Sequence, residues 1–147
     1  MIKTLASVIG LLFIFTGVAP ASAQDEDLRP RAFVGRYIQL DPIMAPFQTG
    51  RGIRYEIVTV RLVIGENSTA RYACWVAPTM HEEIMFYLWD RTLTPADFEG
   101  ERKTEMSQAL LKLITDKTDP KYYAAVEFAG GFEEMDEDSS NLSTLCK

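Results

Sequence analysis

The chain has 147 residues, 47% hydrophobic and 24% charged, with a formal net charge of −6 at pH 7. This profile fits one domain with a modest core, and the acidic balance argues against nucleic acid or anionic lipid as partner, because both select basic surfaces. With one histidine, His81, the chain cannot build a multi-histidine metal site or a conventional zinc enzyme.

Met1–Ala23 reads as an export leader (residues 1–23, signal peptide). Lys3 gives a positive start, Leu5–Val18 an apolar stretch short for a membrane span, and Ala21-Ser22-Ala23 a small-residue cleavage site before Gln24. Cleavage would leave the protein in the periplasm; the alternative is an inner-membrane anchor through residues 5–19 facing the periplasm. Residues 24–32 carry charges and Pro30 and read as a flexible linker.

The domain is then expected over residues 33–131. Phe33–Leu40 alternates as a first strand, stopped by Asp41-Pro42. Ile43–Phe47 continues extended, although Pro46 bars it from the middle of a sheet. Gln48–Gly52 is a turn with two glycines. Arg54–Ile64 is the longest strand, with Val58, Val60, Leu62 and Ile64 on one face and Tyr55, Ile57, Thr59, Arg61 and Val63 on the other. It should pair antiparallel with the strand before it.

Gly65 ends the run, and Asn67 or Ser68 can cap a helix whose apolar stripe is Ala73, Ala77, Met80, Ile84 and Leu88. Pro78 predicts a kink or restart, with Thr79–Glu82 supplying a second capping box. Thr94 and Pro95 open a short helical turn, and Glu101–Thr115 a second helix with Met106, Leu110, Leu113 and Ile114 inward. Tyr122–Phe128 reads as a third strand with Tyr122, Ala124, Val126 and Phe128 on one side. Residues 132–147, with the run Glu133–Asp138, read as an acidic disordered tail. The predicted architecture is α+β: a small three-stranded antiparallel sheet with a long kinked helix and a second helix packed on one face.

Catalytic patterns fail at specific positions. His81-Glu82-Glu83-Ile84-Met85 starts like a zinc-protease helix but has Met85 where the second ligand must stand. Cys74 lies about two helical turns from His81, roughly 10 Å, too far for a nucleophile–base pair. Glu82 and Glu83 point apart as helix neighbours. Asp136, Asp138 and Ser140 offer weak cation binding at most, since Asn141 stands where a calcium loop needs glycine. Asn67-Ser68-Thr69 and Asn141-Leu142-Ser143 match the glycosylation sequon, which matters only in a eukaryotic secretory pathway. The reading is therefore non-enzymatic, without cofactor or metal. Cys74 and Cys146 either form one disulfide in an oxidising compartment, or Cys74 packs as a small hydrophobe.

Trp75, Phe86 and Trp89 crowd the long helix outside its core stripe, and Phe86 and Trp89, three residues apart, lie side by side. A second apolar face on an exported helix points to contact with another subunit or protein. The competing class is a periplasmic small-molecule or ion-binding protein.

Several stretches together resemble the flagellar basal-body-associated FliL family. They are Tyr37-Ile38-Gln39-Leu40-Asp41-Pro42, Arg54-Tyr55 opening a long strand, a helix carrying Pro78, Leu93-Thr94-Pro95-Ala96-Asp97-Phe98-Glu99-Gly100, an amphipathic helix and a final Val126-Glu127-Phe128 strand. The resemblance runs over roughly Phe33–Gly130. It implies a periplasmic domain related in fold to the stomatin-like module, free of catalytic activity, assembling as a homo-oligomer around the flagellar stator and serving motility and chemotaxis. Members of that family usually keep an uncleaved membrane helix, whereas the leader here reads as cleavable.

Overall fold

The computed structural model describes residues 33–66, 68–119, 121–134 and 141–146. The leader, the linker, Asn67 and the Asp136/Asp138 stretch lie outside the described residues. The element order is β1 (Tyr37–Gln39), β2 (Ile43–Thr49), β3 (Gly52–Ile64), α1 (Ala70–Trp89), a 3₁₀ turn (Pro95–Phe98), α2 (Gly100–Thr115), β4 (Tyr123–Gly130) and a second 3₁₀ turn (Ser143–Cys146).

The fold is α+β, with four antiparallel strands rather than three. β3 is central: β1 and then β2 pair along one side of it, and β4 along the other. The extra strand is β2, expected only to continue extended. Pro46 is tolerated there because its missing donor would face the sheet edge, where its carbonyl accepts from the Leu93 amide at 2.9 Å. β1 is shorter than Phe33–Leu40 because Gly35, at φ +80°, folds residues 33–35 into a turn that buries Phe33.

Alternation in β3 sends Val58, Val60, Leu62 and Ile64 into the core, where the α1 residues Ala73, Ala77, Met80, Ile84 and Leu88 and the α2 residues Leu110 and Ile114 meet them. Burying one Leu or Ile this way contributes about 2 kcal/mol. Phe47, Phe98 and Phe128 stack in a row, with centroid separations of 5.8 and 4.6 Å, and fasten the first 3₁₀ turn to the sheet.

Three further expectations need correction. α1 is one helix from Ala70 to Trp89, capped by the Thr69 hydroxyl, which accepts from Tyr72 N–H at 3.1 Å. It does not restart at Pro78, which lies on the solvent side, where water can replace the missing donor. In β4 the register shifts opposite Val63/Ile64, so Tyr123 rather than Tyr122 or Ala124 enters the core with Val126 and Phe128.

The third correction concerns the tail. Within 132–147, residues 141–146 are packed against the domain. Leu142 is buried, its N–H donates to Tyr37 O at 2.8 Å, and Ser143 Oγ accepts from Gln39 N–H at 2.8 Å. Cys146 is joined to Cys74 of α1 by a disulfide, with Cα atoms 5.0 Å apart. The Arg61 guanidinium reaches Glu133 at 3.2 Å and lies 4.9 Å over the Tyr37 ring, holding residues 131–134 across the outer sheet face. Apolar burial of Leu142 and the covalent tie are what hold residues 141–146 against the domain.

Candidate interaction surface

The helical repeat that turns Ala73, Ala77, Met80, Ile84 and Leu88 inward turns Trp75, Pro78, Glu82, Phe86 and Trp89 outward. Trp75 is 76% exposed, Phe86 60% and Trp89 49%. Phe86 and Trp89 meet edge to face at 6.2 Å. Trp75 stands at the other end of the stripe, 6.2 Å from Tyr72, which packs at 4.2 Å on Tyr122. The structure therefore brings Phe86 and Trp89 together and leaves Trp75 about three turns away, roughly 16 Å along the helix.

Trp89 also has a structural task, because its indole N–H donates to Met44 O at 2.6 Å and closes that part of the β2 edge. The ring's position beside β2 joins the helix stripe to a second apolar area that the sequence reading missed. Met44, Ile53 and Tyr55 are all exposed on the outer face of the β2–β3 hairpin, which extends past the end of β4. A shallow groove of about 570 Å³ runs between α1 and α2 beside Phe86 and Trp89, with Glu83, Tyr87, Asp90 and Leu113 in its walls.

The residues weighed for chemistry are dispersed. Cys74 is in the disulfide and holds no thiol. His81 is half-buried, and its Nε2 is enclosed without a hydrogen-bond partner. Glu82 faces solvent, whereas Glu83 pairs with Lys117 at 3.1 Å. Among the described residues no group of three His, Cys, Asp or Glu side chains could hold a metal ion. No described helix is long and apolar enough to cross a membrane.

Three ionisable groups have shifted titrations, Asp97, Tyr123 and Tyr72, the last raised by burial and by Tyr122 and Asp119 beside it. Burial pushes the Asp97 carboxyl upward, but hydrogen bonds from the Thr94 hydroxyl and amide, each 2.7 Å, and the Arg102 guanidinium at 2.6 Å outweigh it and hold the acid below its usual value. This cluster fixes the 3₁₀ turn at the start of α2. Burial raises the Tyr123 phenol well above its usual value, and its hydroxyl has no partner.

Set beside known proteins, the chain matches no protein-family model and no curated protein.

Proposed function

We propose that this chain is a non-enzymatic, exported module of the cell envelope that binds a protein neighbour through the solvent stripe of α1, in the manner of the FliL family at the flagellar basal body. The observation that carries the reading is the exposure of Trp75, Phe86 and Trp89 on one stripe of a helix whose opposite stripe already fills the core. Large aromatic rings left in water are costly and are the residue types most enriched in the energetic centres of protein contacts. The disulfide suits an oxidising compartment, and the α+β class agrees with what the resemblance implies at that level.

The test has two arms. Deleting the gene should impair swimming, and Phe86→Ala expressed in its place should fail to restore it. A truncated aromatic anchor weakens binding by about 2 kcal/mol, close to thirtyfold. Phe86 is the cleaner probe because Trp89 also bonds to β2. Normal swimming in the deletion strain, with no envelope protein retained by the tagged wild type, refutes the reading.

A further inference from the structure

Neighbouring segments close the sheet's edge along β1 and β2. Along β1, Tyr37 O accepts from Leu142 N–H and Gln39 N–H donates to Ser143 Oγ. Along β2, Met44 O accepts from the Trp89 indole, Pro46 O accepts from Leu93 N–H, and Gln48 N–H donates to Leu93 O at 2.7 Å. On the outer side of β4 no such bonds occur among the described residues; there α2 packs against the strand over Val126 and Phe128. Cover of these kinds is the protection that keeps strand edges from templating foreign contacts.

The first half of β3 lacks it. The bond from Gly131 N–H to Ile57 O, 2.8 Å, sets the phase: odd-numbered residues of β3 turn their amides to the side where β4 lies. The β4 ladder ends at Val58↔Gly130, and Gly131, at φ +90°, carries the chain away. The N–H and C=O groups of Ile53 and Tyr55 therefore point out of the edge beyond the end of β4. Among the described residues no hydrogen bond reaches them. Both side chains are 62% exposed. Arg54 and Glu56 form an ion pair with each other, so together they add no net charge to this stretch.

The geometry points to this edge as the contact between two copies of the chain, paired antiparallel about a twofold axis at Arg54. Ile53 of each copy then faces Tyr55 of the other, an aromatic–β-branched cross-strand pair of the favoured kind, and these residues exchange about four backbone hydrogen bonds. The two guanidiniums meet at the axis, and their mutual repulsion is offset by Glu56 on each side, each copy's own and, diagonally, that of the second copy. Opposite charges thus alternate around the centre, which selects a copy of the same strand over a peptide of uniform charge. A register centred on Tyr55 would require Ile57 O, already taken by Gly131, and one centred on Ile53 would set Tyr55 against Arg51 in the turn. The ladder is short, so the association is weak, as for interfaces at the small end of the size range. It does not depend on the α1 stripe.

The test uses the purified oxidised protein. Raising its concentration from about 10 μM to about 1 mM should slow amide exchange at Ile53 and Tyr55 at least about tenfold and shift sedimentation toward dimer, as expected for a weak edge-to-edge contact. Tyr55→Lys, a change at an exposed position, should remain monomeric throughout. Arg54→Glu should weaken the dimer about tenfold, and Arg54→Glu with Glu56→Arg should recover it. Phe86→Ala should leave all of this unchanged even if it abolishes swimming, so failure of either proposal is read separately. Concentration-independent exchange at Ile53 and Tyr55 overturns the inference, as does identical self-association of Tyr55→Lys and wild type.

Discussion

Replacing both Cys74 and Cys146 by serine removes a link that spans 72 positions and ties the last packed residues to α1. Chain entropy alone assigns a closed loop of that length about 4 kcal/mol, because the open unfolded chain regains the freedom the crosslink denies it. If residues 141–146 also detach, Leu142 returns to water and roughly 2 kcal/mol more is lost. Urea unfolding followed by circular dichroism measures the difference. With a slope of about 2 kcal/mol/M, the midpoint of the double serine variant should lie about 2 M or more below that of the oxidised protein. Leu142→Ala in the oxidised protein isolates the packing part and should cost about 3 kcal/mol. A double serine variant within about 1 kcal/mol of the oxidised protein would refute the reasoning, since it would mean that the hydrogen bonds at Tyr37 and Gln39 hold the segment unaided.

Tyr123→Phe should stabilise the protein by about 1 kcal/mol, because its buried hydroxyl forms no hydrogen bond and its removal from water is uncompensated; differential denaturation against wild type reads the sign. The same residue predicts alkaline weakness. Its folded-state titration is raised, so the unfolded chain alone loses the phenolic proton above about pH 10; stability should decline from there upward, and less steeply in the phenylalanine variant. Asp97→Asn should lower stability by about 1–2 kcal/mol at pH 7 by weakening the bonds that carboxylate accepts from Thr94 and Arg102. Because the folded-state titration of Asp97 is lowered, the wild-type contribution is present above about pH 4 and fades as the pH falls below it; the asparagine variant should lack that part of the acid profile.

The elements read well where two signals coincide. β3 combines β-branched residues with period-two alternation, and the α1 stripe recurs at spacings of three and four, so both their kinds and their inward faces follow from the sequence. The outward aromatic stripe follows from the same spacing. Where one local signal stood against a tertiary one, the sequence misled. Pro78 suggested a restart, but packing of Ala77 and Met80 on either side of it holds one helix. The β4 phase depended on an irregularity opposite Val63/Ile64 that no single strand displays. Leu142 was hidden by the acidic run before it, since one apolar residue has no period. The exposure of Ile53 and Tyr55 depends on where β4 stops, which is a property of a partner strand more than 60 residues away.

The Cys74–Cys146 link makes a covalent ring of the later part of α1, α2 and β4, with β1, β2 and β3 outside it. A protease that cuts anywhere inside the ring opens it without freeing a fragment, and the nick shows only on a gel run with reductant. A cut in the Gly50–Gly52 turn instead leaves β1 and β2 attached by hydrogen bonds and packing alone. Oxidised protein nicked at that hairpin would shed its amino-terminal strands in denaturant as one piece, while everything after Cys74 stays together.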